Sequence, residues 1–230
     1  MKVLVIDVGG TNVKILASGQ TEARRVPSGP KMSPAQMVEQ VRTLAEGWAF
    51  DAVSIGYPGP VRDGAPSGEP PNLGRGWVGF DFAGAFGKPV KLVNDAAMQA
   101  LGSYDKGKML FLGLGTGLGS TLIVDGAIVP MELGHLPYRK ATFEDYVGER
   151  GQERYGLRKW RKFVADVVAR LQAALLPDEV VLGGGNVRAL KALPPGCRAG
   201  DNANAFAGGF RLWPDTARAR PTRKTGGQRT

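Results

Sequence analysis

A chain of 230 residues with 43% hydrophobic content can bury one large core or two modest lobes, and its composition argues against disorder over most of its length. The single cysteine, Cys197, excludes an internal disulfide and any zinc site built from several cysteines. The apolar run before Asp7 is too short for a signal-peptide core or a bilayer span, so a cytoplasmic protein with no membrane association is expected.

The formal charge of +9 invites a polyanion, but part of it lies in residues 214–230, where Arg218, Arg220, Arg223, Lys224 and Arg229 stand against Asp215. No aromatic residues are interleaved with those cations, which leaves a nucleic-acid platform little support.

In chain order, KVLVIDV predicts a strand, GGTN a tight turn and VKILAS a second strand. Ser33 followed by Pro34 predicts the start of a helix over PAQMVEQVRTLAE. DAVSIGYPGP reads as a buried strand closed by a Gly/Pro turn, with a long loop from Arg62 to about Gly79. KPVKLVND is a further strand, and Asp95 begins a helix over AAMQALGSY. KMLFLGLGTGLGSTLIVDG then repeats the strand, glycine turn and strand of the opening, so a duplicated lobe is the simplest reading. Helices are expected in TFEDYVGERGQERYG and LRKWRKFVADVVARLQAAL, and DEVVLGGGN is a strand whose glycines open a short helix. Two α/β lobes follow, residues 1–94 and 95–213, with a cleft between them and a basic, disordered tail over 214–230.

The stretch GLGTGLGS, residues 113–120, spends so many glycines that a tight turn or close approach of a ligand to the backbone is needed to explain it. Two facing glycine turns would offer N–H groups to phosphate oxygens from both sides of the cleft; ordinary hairpin turns are the alternative. Asp7 is placed to hold a water-coordinated Mg²⁺, and Thr11 and Thr116 add hydroxyls. Asp95 is either a general base for a substrate hydroxyl or a plain helix cap. Glu132 and the only histidine, His135, flank a glycine turn and so can converge on one polar ligand, although a structural histidine is the simpler reading. GSYDKGKM lacks the Ser or Thr of a P-loop, and the alternating glycines do not fit a dinucleotide fingerprint.

The ordered set DVGGT, GYPGP, VNDAAMQALGS, GLGTGLGS, ELGH, VVLGGGN and DNANAFAGG resembles the ROK sugar kinases of the actin/hexokinase/Hsp70-like superfamily, over nearly the whole chain. The resemblance implies a two-lobed actin-like ATPase fold of duplicated ribonuclease-H-like lobes with an interlobe active-site cleft. It implies that Asp7, Gly9, Gly10, Thr11, Lys14, Gly115, Thr116 and Gly117 meet the phosphoryl donor, with Gly184 and Gly185 near the adenosine of a nucleotide. Asp95 would be the catalytic base, and Asn94, Glu132, His135, Glu144 and Asn72 would hold the sugar. A homodimer is also implied. The zinc-binding cysteines of the family are missing, so no zinc is expected and the loop from Leu136 to Thr142 must be stabilised otherwise. The chain is also short after the triple glycine, as in the polyphosphate glucokinase branch.

A glucokinase using Mg²⁺ with polyphosphate, ATP or both is therefore expected. Arg158, Lys159, Arg161 and Lys162 supply a polyphosphate track or a solvated helix face, with Trp160 beneath them. An ATP-dependent hexokinase for mannose, fructose or an N-acetylated sugar, and a non-catalytic sugar- or polyanion-binding relative, are the competing readings.

Overall fold

A computed structural model describes residues 1–201 and 203–213; the tail over 214–230 lies outside the described residues. In chain order the strands are β1 (Val3–Val8), β2 (Asn12–Ala17), β3 (Arg24–Pro27), β4 (Ala52–Tyr57), β5 (Val61–Arg62), β6 (Ala65–Pro66), β7 (Val90–Asn94), β8 (Lys108–Leu114), β9 (Leu118–Val124), β10 (Ala127–Met131), β11 (Pro137–Tyr138), β12 (Ala141–Thr142), β13 (Glu179–Gly183) and β14 (Cys197–Ala199). The helices are α1 (Pro34–Leu44), α2 (Phe82–Phe86), α3 (Asp95–Ser103), α4 (Phe143–Val147), α5 (Glu149–Leu175) and α6 (Asn204–Arg211), with 3₁₀ turns at Leu133–His135 and Gly185–Ala189. None of the described helices is long and apolar enough to cross a membrane.

Two five-stranded sheets carry the fold, in the orders β3-β2-β1-β4-β7 and β10-β9-β8-β13-β14. Each begins with an antiparallel meander and adds two parallel strands to the other side of its first strand. The two halves thus share one topology, as the repeated hairpin in the sequence implies, and the parallel strands of both direct their carboxyl ends to a common cleft. Asp7, Gly56 and Val93 lie side by side in the first sheet, and Gly113 and Gly183 in the second.

The first core gathers β1, β2, β4 and α1 around Trp77, Tyr57 and Met37; the second gathers β8, β13 and α5 around Trp160. Ser33 and Gln36 form a reciprocal capping box at the start of α1, with Pro34 in its first turn, as the sequence predicts.

Several boundaries differ from the expectation. The loop from Arg62 to Gly79 contains part of a small hairpin, β5 and β6, turned by Asp63 and Gly64 with φ 51° and 75°. Helix α3 stops at Ser103, one residue early. The two helices expected between Thr142 and Leu175 are α4 and the long α5, which is interrupted where Gly156 takes φ 72°, at the junction of the two sequence patterns.

Residues 136–142, which carry no cysteines, fold as the hairpin β11–β12 and are held by aromatic packing. Tyr138 packs edge-on against Tyr146 at 5.1 Å and lies 5.3 Å from Phe143, while its hydroxyl donates to Asp166 at 2.7 Å.

Candidate active site

A cavity of about 460 Å³ lies between the two sheets. The first lobe lines it with Gly9 and Gly10 of one glycine turn, Pro58–Pro60 after β4, and Pro71 and Asn72. The second supplies Gly115, Thr116 and Gly117, then Glu132, His135, Glu144 and Gly184; Asn94 and Asp95 sit at its floor.

The glycine turns owe little to left-handed backbone. Both connections are tight three-residue turns, as expected, yet none of Gly9, Gly10, Gly113, Gly115, Gly117 and Gly119 has the positive φ that favours glycine. Crowding explains most of them. A Cβ on Gly117 would stand 2.5 Å from Glu144 Oε2, one on Gly10 3.0 Å from Asn72 Cβ, and one on Gly119 3.0 Å from Ala96 Cβ. Gly115 is different, because a Cβ there would meet nothing within 4 Å and would only enter the cavity. Gly9 N–H is bonded to Asn12 O at 3.0 Å and Gly115 N–H to Gly117 O at 3.3 Å.

Asn94, not Asp95, caps α3. Its carboxamide oxygen accepts from Ala96 N–H at 2.9 Å, and its Nδ2 donates to Gly59 O at 3.0 Å, so the cap also braces the turn after β4. Asp95 is therefore free to face the cavity from the first residue of the helix. Burial, reinforced by the negative charge of Asp7 and opposed by the Ala96 N–H bond, pushes its pKa up to about 7. Asp7, on β1, is also shifted upward by burial, with Lys14 on the facing strand pulling the other way.

Glu132 owes its position to Ser120. The buried Ser120 hydroxyl donates to Met131 O at 2.8 Å and accepts from Leu133 N–H at 3.0 Å, so it grips the backbone on either side of Glu132. His135 Nε2 lies 3.8 Å from Glu144 Oε1, and both side chains are partly exposed to the cavity.

Asn72, Asn94, Asp95, Glu132, His135, Glu144, Gly9, Gly10, Gly115, Thr116, Gly117 and Gly184 thus meet at one cavity. Asp7, Thr11, Lys14 and Gly185 are not part of its lining, and neither are Arg158, Lys159, Arg161 and Lys162 of α5. Trp160 is fully buried and donates to Val147 O. Sequence reasoning passed over Ser120 as a support and Gln99 in the cavity wall, although Gln99 is one helical turn from Asp95 and so shares its face.

A duplicated α/β fold whose two glycine turns flank a half-buried carboxylate defines a phosphotransferase of the actin-like ATPase class, acting on an alcohol acceptor. The chain belongs to the ROK family, whose model matches residues 3–151. It is 30% identical over 204 residues to the polyphosphate glucokinase of Mycobacterium tuberculosis, covering 78% of this chain and 76% of that protein. Its structure is similar to an inorganic polyphosphate/ATP-glucomannokinase from an Arthrobacter strain, with TM-score 0.77, 26% identity, and coverage of 92% and 97% of the two chains. A ROK glucokinase from Streptomyces griseus, solved with glucose and AMPPNP, shares the fold at TM-score 0.75 and 18% identity over 92% and 99% of the chains.

Proposed function

We propose that the protein transfers a phosphoryl group from polyphosphate, ATP or both to the 6-hydroxyl of glucose. The observation that carries this reading is Asp95, a half-buried carboxylate whose pKa of about 7 suits proton transfer near neutrality, lining a cavity flanked by both glycine turns. The relatives named for glucose, polyphosphate and ATP supply the choice of substrates.

The sugar occupies the end lined by Asn72, Glu132, His135 and Glu144, its hydroxyls shared among carboxylates, imidazole and carboxamide. Asp95 orients the 6-hydroxyl and takes its proton as the oxygen bonds to the terminal phosphorus and the bond from that phosphorus to the donor's bridging oxygen breaks. The leaving chain keeps that electron pair. Gly10, Thr11, Thr116 and Gly117 present backbone N–H groups to the donor; Gly115 keeps the approach clear, and Gly184 and Gly185 border its outer part.

Asp7 fits a magnesium ion bound through water: it is a hard oxygen donor close enough to Asp95 for the two charges to oppose each other, and a cation relieves that opposition. When bound, the ion would neutralise charge on the donor oxygens. Of the basic residues on α5, Arg161 is bonded to Ala189 O in the turn after Gly184, whereas Arg158, Lys159 and Lys162 are exposed on the same helix.

The test is glucose 6-phosphate formation with Mg²⁺, comparing polyphosphate and ATP at matched phosphoryl concentration, in the wild type and in Asp95→Asn. The variant is expected to lose about 10²–10⁴ in kcat while glucose binds with unchanged affinity. Near-wild-type turnover in it would remove Asp95 from the role. The glucomannokinase likeness makes mannose the first alternative acceptor to assay.

A further inference from the structure

The four cations of α5 part company in three dimensions. The buried residues Trp160, Val164, Val167, Val168 and Leu171 mark its inner face. At 3.6 residues per turn, Arg161 then lies on one flank, Lys159 lies toward the opposite flank with Phe163, and Arg158 and Lys162 point to solvent. Of the four, only Arg161 is fastened to the end of the cleft: its Nε donates to Ala189 O at 2.7 Å.

Ala189 closes the 3₁₀ turn that follows Gly184, and that turn carries a second guanidinium. Arg188 folds back with Nε 3.5 Å from Gly185 O, beside a residue that lines the cavity. Asn186 ties the same turn to the donor loop, its Nδ2 donating to Gly115 O at 3.1 Å. Gly185 is exposed and a Cβ there would meet nothing within 4 Å, so the backbone between loop and guanidinium is open to a ligand. Among the described residues neither Arg161 nor Arg188 is paired with a carboxylate.

We propose that Arg188, with Arg161 behind it, binds the phosphates of polyphosphate beyond the one transferred. This deepens the donor reading given above and rests on it. A linear polyanion presents phosphate after phosphate, and guanidinium forks at fixed positions match such oxygens with charge-assisted hydrogen bonds. ATP ends in a neutral nucleoside after three phosphates and draws less on a cation at this distance from the transfer point. The path therefore leaves the cavity past Gly115 and Gly185, and Lys159 takes no part in it.

The experiment compares wild type, Arg188→Ala, Arg188→Lys and the remote control Lys88→Ala. Two quantities are read: KM for long-chain polyphosphate, tripolyphosphate and ATP at saturating glucose, and the affinity for long-chain polyphosphate by calorimetry without glucose. Arg188→Ala is expected to raise the long-chain KM and Kd about tenfold with kcat nearly unchanged. The KM for tripolyphosphate and ATP should move by less than about threefold, and Arg188→Lys should recover part of the loss. Equal losses with ATP and long-chain polyphosphate, or no loss in the binding measurement, would overturn the proposal. If the wild type binds long-chain polyphosphate through Arg188 yet transfers phosphate only from ATP, the binding site stands and polyphosphate is removed as a donor. If the wild type binds no polyphosphate, the proposal fails and only the ATP-dependent form of the proposed function remains.

Discussion

Asp95 illustrates how a single residue trades stability for chemistry. Its folded pKa of about 7 lies above the ordinary carboxylate value of 3.8, so the folded protein holds a proton that the unfolded chain releases. Stability contributed by that proton is present at low pH and lost as pH rises from about 4 through 7. Asp95→Asn should then raise the urea midpoint at pH 8 by the equivalent of about 2–4 kcal/mol and change it little at pH 4. Turnover runs the opposite way: kcat in the wild type should rise as Asp95 deprotonates near pH 7, and the residual rate of the variant should lack that limb. The glycines allow a second separation at the same scale. Gly115→Ala adds a methyl to open space, so the melting temperature should stay within about 1 °C of wild type while donor KM rises severalfold. Gly117→Ala drives its methyl against Glu144, so it should weaken sugar binding as well. If both variants behave alike in sugar and donor affinity, the two glycines do not have the distinct roles assigned to them.

At the scale of elements, what the sequence reveals depends on whether local pattern and tertiary contact agree. β1, β2, β8 and β9 are legible because apolar runs end in glycines, and their repetition exposes the duplicated topology. β10 is not, since an exposed edge strand tolerates Pro130 and shows no apolar alternation. Helix α6 is concealed by Gly208 and Gly209, which weaken a helix locally. Packing requires both: a Cβ on Gly208 would fall 1.8 Å from Met98 O in α3, and one on Gly209 2.2 Å from Val5. The cleft was legible as a set of motifs, whereas the bonds of Ser120 around Glu132 join residues that no local pattern connects. Gly208→Ala should therefore separate α6 from α3 and cost about 1–3 kcal/mol, visible as a lower urea midpoint with unchanged m-value. Ser120→Ala tests the other element contact. It should leave the donor KM alone while raising the sugar KM several-fold, because only the Glu132 turn loses its anchor.

Across the whole molecule, the two sheets are linked through α3 and α6. Helix α3 carries Asp95 at the cleft and packs on α6, and α6 is fastened to the first sheet through Ser54, whose hydroxyl donates to Gly209 O at 2.7 Å and accepts from Trp213 Nε1 at 2.9 Å. At its other end α3 meets the second sheet, where Arg198 bonds Ser103 O and pairs with Glu179 at 2.6 Å. A ligand in the cavity touches Asn72 on one side and Glu132, His135 and Glu144 on the other, so its binding energy is shared by both lobes. Glucose at a hundred times its Kd should stabilise the fold by about 2.7 kcal/mol. For a chain of this size that is a rise of roughly 5–10 °C in melting temperature. Because α3 couples the sheets, the gain should appear as a shift of one cooperative transition in scanning calorimetry, and Asp95→Asn should retain most of it, since Asn72, Glu132, His135 and Glu144 remain to hold the sugar. A transition that splits on adding glucose, with only one component moving, would mean that the lobes unfold independently and that α3 and α6 transmit no stability between them.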